Sequence, residues 1–363
     1  MIAHTLHTSD WRAGIKRLRR LGRTLLNRGL TTVVGTDRRK RAPLALASRR
    51  ILVVRVNKRL GNILFLTPML QALHAGLPTC TIDVLIRDED QRPLLANLPG
   101  VRNVYTQPHA AYRLPGLLFR LRRQHYDLVI DPSVNSTGNR LAAALVGARQ
   151  RLGFAGPDQW LCLTHAAAYP RSRHQAQQAV GLLAAGLANV PVGAYPHLHV
   201  QPSAPARQQA TQYWQQALGD AATTAPVIGF FTRATGAKQL RHDWWLAWLA
   251  ALRERAPAAR FLQIHPPGLH QPLAPDIPGV QIKALDVLAA VLGKLTVFVA
   301  ADSGPMHLAA ASGAPTIGLF QATSATAYAP LGANCHSIDK HNLTPQHAAT
   351  VTLARLPAAP AVA

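Results

Sequence analysis

The chain has 363 residues, 48% of them apolar, which is enough for two domains of ordinary size, each with its own core. It carries 39 Lys and Arg against 16 Asp and Glu, a formal net charge of +23, and this balance calls for an anionic partner such as phospholipid, lipopolysaccharide or nucleic acid. Cys80, Cys162 and Cys335 are too scattered for a disulfide framework, and no apolar run reaches the roughly 18 residues of a spanning helix, so a disulfide scaffold and a membrane-spanning helix are excluded.

Residues 1–48 read as a basic N-terminal extension. The first 50 residues hold 13 basic side chains against Asp10 and Asp37. Trp11, Ile15, Leu18, Gly22 and Leu25 recur at spacings of four and three, while Arg12, Lys16, Arg17, Arg19, Arg20 and Arg23 fill the remaining arc. That pattern predicts a basic amphipathic helix suited to an anionic membrane, with packing on the protein or nucleic-acid binding as the alternatives. Residues 31–48 read as a linker. A signal-peptide pattern is missing, so a cytoplasmic protein, soluble or peripheral at the inner face of the membrane, is expected.

From residue 49 onward strands and helices alternate. The pattern predicts a strand at 51–56, a helix at 62–75, a strand at 81–86 and another at 127–131. Four prolines without helical period in 191–205 mark a boundary. A second alternation follows: helix 205–218, strand 227–232, helix 243–255, strand 260–265, helix 285–292, strand 297–301, a short helix through 311 and a strand at 315–320. The expected class is α/β, with doubly wound Rossmann-like domains at 49–200 and 201–345 and an Ala/Pro-rich tail at 346–363. Two such sheets in tandem place a cleft between their carboxyl edges, where ligands of these sheets bind.

Three loops carry chemistry. After the first strand comes Arg55-Val56-Asn57-Lys58-Arg59-Leu60-Gly61-Asn62, where Gly61 admits close backbone approach. After the first strand of the second domain comes Thr232-Arg233-Ala234-Thr235-Gly236-Ala237-Lys238, followed by a helix bearing Trp244 and Trp245. The third, Asp302-Ser303-Gly304-Pro305-Met306-His307, joins a strand to a helix whose first turn suits a phosphate, with Asp302 or Ser303 as the expected cap. His307 lies one turn beyond Ser303, on the same side.

The third loop with its flanking strands resembles the donor-binding signature of glycosyltransferase family 9, the bacterial heptosyltransferases. The first two loops resemble the family's N-terminal signature and its lysine loop. The resemblance covers roughly residues 50–335 and implies a GT-B fold, two Rossmann-like domains facing a central cleft. By resemblance Asp302, Ser303, Gly304 and His307 hold the diphosphate and sugar of an ADP-heptose-like donor. Lys238, aided by Thr232, Arg233 and Thr235, contacts its phosphates. Gly61 and Asn62 face the acceptor, as does the Asp131-Pro132-Ser133-Val134-Asn135 loop through Asp131 and Asn135. Near the nucleoside the closest candidates are His270 and Gln271.

The chain departs from the family pattern at two places: His270 and Gln271 are the candidates where relatives carry an acidic residue at the nucleoside, and Asn62 stands where the family has the aspartate that deprotonates the acceptor hydroxyl. A carboxamide cannot take a proton, although it can orient an acceptor. Three readings stay open: a substitute base among Asp83, Asp88 and Asp131, an acceptor that needs little base assistance, or a domain that binds without turnover. The resemblance implies inverting, metal-independent transfer of heptose or a similar sugar to the lipopolysaccharide core, with no cofactor. The alternatives are an impaired relative that binds nucleotide sugar, or a transferase for protein or another glycan. The expected partners are a nucleotide sugar, an anionic glycolipid and an anionic membrane. A second basic patch, with Arg113, Arg120, Arg122 and Arg123 among Leu114, Leu117, Leu118 and Leu121, supports the last two. Nucleic acid is the weakest partner, since aromatics are only 6% and no nucleic-acid module is recognisable. Asp88-Glu89-Asp90 reads as an acidic surface turn.

Overall fold

The computed structural model describes Leu44 and residues 50–134, 136–155, 163–169, 174–188, 190, 195–219 and 225–357. The expected basic N-terminal helix and Asn135 lie outside the described residues. Two six-stranded parallel sheets form the frame. The first comprises β1 (Arg50–Arg55), β2 (Thr81–Ile86), β3 (Val101–Thr106), β4 (Leu128–Asp131), β5 (Gln150–Phe154) and β6 (His165–Ala167) in the order β3-β2-β1-β4-β5-β6. The second comprises β7 (Val227–Phe231), β8 (Arg260–His265), β9 (Gly279–Gln281), β10 (Val297–Ala301), β11 (Thr316–Phe320) and β12 (His336–Asp339) in the order β12-β11-β10-β7-β8-β9. Counted within its own domain, each sheet follows the doubly wound order 3-2-1-4-5-6.

The central strands show why. β7, β10 and β11 are buried along their whole length, as are Ile51 to Val54 of β1, so both faces must be covered by helices. On the outer face of the second sheet Trp245 and Trp248 of the helix His242–Arg255 are buried against Phe230, with ring centroids 6.1 and 5.5 Å away. The expected tail begins inside another element of this face. Residues from 345 form the helix Pro345–Leu353, which buries Ala348, Ala349 and Thr352 against the same cluster.

The helix expected at 62–75 is two helices, Leu60–Leu64 and Thr67–Gly76. Pro68 has no N–H for the carbonyl of Leu64, four residues earlier, and the Thr67 hydroxyl donates to that carbonyl at 2.8 Å instead. The break turns Phe65 out of the first domain. Leu64 and Phe65, with Leu94 and Ala176 from two other helices, join an apolar cluster made mostly of second-domain residues, including Met306, Leu308 and Phe320. Backbone bonds tie the intervening segment to the second domain, from Leu198 N–H to the Leu331 carbonyl and from Val200 N–H to that of Ala311.

Candidate functional site

In each sheet the chain reverses direction of winding between its two central strands, β1 and β4 in the first and β7 and β10 in the second. The loops leaving these four strands carry the chemistry-bearing residues, because a crevice opens where neighbouring crossovers diverge to opposite faces. A cavity of about 790 Å³ lies between the two switch points. Its lining includes the expected Gly61, Asn62, Lys238, Asp302, Ser303, Gly304 and His307, together with Arg233 and Thr235.

The second-domain wall is built around Asp302, which follows β10. Lys238, in the short turn Gly236–Lys238 after β7, donates to Asp302 Oδ2 at 3.2 Å, and the Thr323 hydroxyl donates to the same oxygen at 2.8 Å. His307 Nε2 lies 3.6 Å from Asp302 Oδ1. Burial alone pushes the Asp302 carboxyl up. Hydrogen bonding from His307 and Thr323 and the charge of Lys238 outweigh it, and the net shift is below the ordinary carboxylate value.

Neither of the expected caps closes the helix Gly304–Ala311. Ser303 occupies the N-cap position without a side-chain cap bond, and its buried hydroxyl has no hydrogen-bond partner among the described residues. The first-turn N–H groups and the Ser303 hydroxyl are therefore donors without a local acceptor, beside Lys238 and with no acidic residue in that turn. His307 Nδ1 is likewise buried without a partner among the described residues. The arrangement is chemically suited to an anion with several oxygens.

Two glycines allow the helix starts of the two domains to meet. A side chain at Gly61 would come within 3.1 Å of the His307 ring, and one at Gly304 within 3.1 Å of Leu60. Phe65 packs edge-on against His307, with centroids 4.7 Å apart, and against His174 at 5.8 Å. Beyond this contact lies a second cavity, about 250 Å³, in the first domain. Asn62 and Phe65 line both cavities, so Asn62 stands at their junction.

The remaining expected residues lie elsewhere. Thr232 lines neither cavity: its carbonyl accepts from Gln239 Nε2 at 2.7 Å, which braces the lysine loop. Asp131 is fully buried, with Arg140 Nε at 2.9 Å, the Ser133 N–H at 3.0 Å and the Ser133 hydroxyl all on its carboxylate. That geometry makes it a positioning residue for the loop after β4 instead of a proton acceptor. Asp83 is buried within β2, bound by Arg102, Asn103 and Tyr126, and Asp88 lines neither cavity. His270 packs on His265 at 4.5 Å, and the Gln271 carbonyl accepts from Gln263; neither residue lines the larger cavity. The lining residues that sequence reasoning missed are Phe65, Phe231, Thr323 and Tyr328. Only Thr323 had a signal, as a polar residue just beyond the carboxyl end of an apolar strand.

His174 couples this region to pH. Its Nδ1 accepts from the Ala176 N–H at 3.2 Å, so Nε2 carries the proton and donates to the Ala329 carbonyl of the second domain at 3.0 Å. Burial pulls its pKa below the ordinary 6.5, the Ala329 bond opposes this and His307 adds to the lowering. A depressed imidazole stabilises the fold fully above the unfolded value and progressively less as pH falls below it, because the unfolded chain takes up the proton first. Thermal denaturation should accordingly show a melting temperature that is flat above about pH 7 and falls from about pH 6.5 downward. His174→Asn, which keeps a capping oxygen, should fall less steeply. Parallel curves for the two proteins would remove His174 from this role.

The sequence profile described as "Glycosyltransferase family 9 (heptosyltransferase)" matches residues 117–353. No curated protein sequence shows significant similarity to the chain. Among solved structures, a glycosyl transferase family 9 protein from Veillonella parvula aligns with a TM-score of 0.71 and 22% identity over 82% of this chain and 87% of that one. E. coli ADP-heptose lps heptosyltransferase II aligns at 0.68 and 19% identity over 84% and 98%. E. coli heptosyltransferase WaaC with ADP aligns at 0.64 and 18% over 85% and 100%. At such identities the structural likenesses speak for the fold, which is that of these GT-B heptosyltransferases. The profile match extends over more than half of the chain, from the first sheet to the last helix of the second, and it places the protein within glycosyltransferase family 9.

Proposed function

We infer that the protein transfers a sugar, heptose or a close relative, from an ADP-linked donor to the anionic core of a lipopolysaccharide, with inversion. The observation that carries this reading is the cluster of unsatisfied donors at the start of the helix Gly304–Ala311, beside Lys238 and facing the first domain across Gly61. Such a site binds the diphosphate and stabilises the charge that grows on it as the sugar departs, with Lys238 in the place of a metal. The E. coli relative solved with ADP and with ADP-2-deoxy-2-fluoro heptose supports an ADP-linked donor. The test is titration calorimetry with ADP-heptose and ADP: binding of both is expected, and no detectable binding of either at millimolar concentration would remove the reading. A second reading, donor binding without turnover, is favoured by the neutral Asn62 at the junction of the cavities.

Contact with an anionic membrane belongs to the same proposal. Leu117 and Leu121 of the helix Leu114–Arg122 are buried inward, so the patch expected from sequence presents other residues. Tyr112 and Phe119 are the two most exposed large apolar side chains of the described residues, at 77% and 61%. Arg113 and Arg123 lie 5.6 and 5.7 Å from their rings, and Arg120 and Arg122 are exposed beside them. Aromatic rings among arginines suit the headgroup layer of anionic lipid. Tyr112→Ser with Phe119→Ser should weaken co-sedimentation with phosphatidylglycerol vesicles about tenfold at unchanged melting temperature; unchanged sedimentation would assign the contact to another surface.

A further inference from the structure

The loop between β1 and the helix Leu60–Leu64 is held more firmly than an exposed turn requires. Asn57 Oδ1 accepts the Arg59 N–H at 2.8 Å, and the buried Gln91 donates from Nε2 to the Lys58 carbonyl at 2.9 Å. Leu60 lies against Gly304, where an added side chain would come within 3.1 Å of it. These contacts fix the backbone on both sides of Arg59, at the uncapped start of the helix Gly304–Ala311. Lys58 and Arg59 are both exposed, yet Arg59 lines the 790 Å³ cavity and Lys58 does not. The Arg59 guanidinium has no carboxylate partner among the described residues.

Of Lys, Arg, Asp and Glu side chains, the cavity lining holds Arg59, Arg233 and Lys238 against Asp302. Lys238 is paired with Asp302, so Arg59 and Arg233 supply the excess positive charge. Arg233 follows β7 in the second domain, and Arg59 follows β1 in the first. A sugar-linked diphosphate carries one negative charge on each phosphate. As the bond from the anomeric carbon to the diphosphate oxygen breaks, its electron pair stays on that oxygen, and the terminal phosphate gains a second ionisation with a pKa of about 6. At neutral pH ADP therefore leaves with one more negative charge than it had in the donor. The acceptor oxygen forms the new bond to the anomeric carbon, and its proton passes to the medium. A cation that meets the growing charge stabilises the transition state more than the bound donor.

We propose that Arg59 is the first domain's contribution to the donor site, binding the terminal phosphate of the departing ADP while Lys238 serves from the second domain. The inference rests on the reading of the protein as a transferase from an ADP-linked sugar. The planar guanidinium can engage two phosphate oxygens at once, and its Cα is already placed by the bonds to Asn57 and Gln91. Asn62, at the junction of the two cavities, lies three residues further along the same segment. The group that meets the leaving phosphate and the group that stands between the cavities are thus set on one short piece of chain.

Titration calorimetry on the full-length protein compares ADP, ADP-heptose and AMP binding to wild type, Arg59→Ala, Arg59→Lys and Lys58→Ala. Arg59→Ala should weaken ADP about tenfold, ADP-heptose by no more than about threefold and AMP not at all, since AMP lacks the terminal phosphate. Arg59→Lys should recover part of the loss. Lys58→Ala removes the same charge one residue away and should match wild type. All three variants should keep the wild-type melting temperature, because both side chains are exposed. With ADP-heptose and a truncated lipopolysaccharide core, Arg59→Ala should lower kcat about 10- to 50-fold, less than a buried donor would, because solvent screens an exposed cation. Unchanged ADP affinity or wild-type kcat in Arg59→Ala, an equal loss for ADP and AMP, or an equal loss in Lys58→Ala would overturn the proposal and leave the donor reading standing. Where the wild type binds donor without turnover, the comparison of ADP, ADP-heptose and AMP decides alone. Failure of the wild type to bind either ADP or ADP-heptose would overturn both.

Discussion

Lys238→Ala should lower kcat about 10²- to 10³-fold while leaving the melting temperature nearly unchanged. The ammonium stands 3.2 Å from Asp302 and beside the uncapped start of the helix Gly304–Ala311, where the departing diphosphate would gather charge. An electrostatic donor aimed at charge that develops only in the transition state affects turnover more than ground-state binding, which sets the expected size and the split. Lys238→Arg keeps the charge but not the point geometry and should fall between the two. The stability effect is modest because the lysine side chain is 26% exposed and the buried Asp302 carboxylate keeps the Thr323 hydroxyl and has His307 Nε2 close by. Steady-state ADP release at saturating donor is the measurement, and a wild-type kcat in Lys238→Ala would remove the phosphate role.

Arg140→Ala should cost about 3–5 kcal/mol of folding free energy. The guanidinium and the Asp131 carboxylate are 2% and 0% exposed and 2.9 Å apart, so deletion leaves a buried carboxylate whose charge has lost its partner. The site is also shaped for arginine: Gly153 lies under the guanidinium, close enough that a side chain there would come within 2.9 Å of it. Arg140→Leu combined with Asp131→Asn removes both charges and should recover part of the loss, since replacing both members of a buried pair costs less than breaking it. Urea denaturation of the single and double variants decides this. A single variant within about 1 kcal/mol of wild type would show that water reaches the pair.

Strand and helix positions in the second domain could be read closely from sequence, because strands buried on both faces, such as Val297–Ala301, give unbroken apolar runs with polar punctuation. The residues Asp302, Ser303, Gly304 and His307 could be located for the same reason, since the punctuation after a parallel strand is where a switch point opens. The break at Phe65 was less legible. Thr67-Pro68 signalled it locally, but its consequence, an aromatic ring turned into the other domain, depends on packing that no local pattern encodes. Asp131, one of three candidate bases in sequence, could not be told from a positioning residue, because a strand-end aspartate looks the same whether it faces a ligand or Arg140, nine residues on. The smaller cavity was invisible for a related reason: Arg55, Ser136 and Gln175, which line it, are far apart in sequence and meet only once β1 and β4 pair.

The apolar seam through Leu64, Phe65, Leu94 and Ala176 sets a limit on how this enzyme can be taken apart or recombined. A first half produced alone would carry those side chains into water, and the second half would expose the surface that receives them, so each is expected to aggregate instead of behaving as a module. The same seam predicts one calorimetric transition for the whole molecule, where a beads-on-a-string protein would show two. Chimeras that swap acceptor domains between relatives would therefore have to carry the four seam positions with the half that matches them.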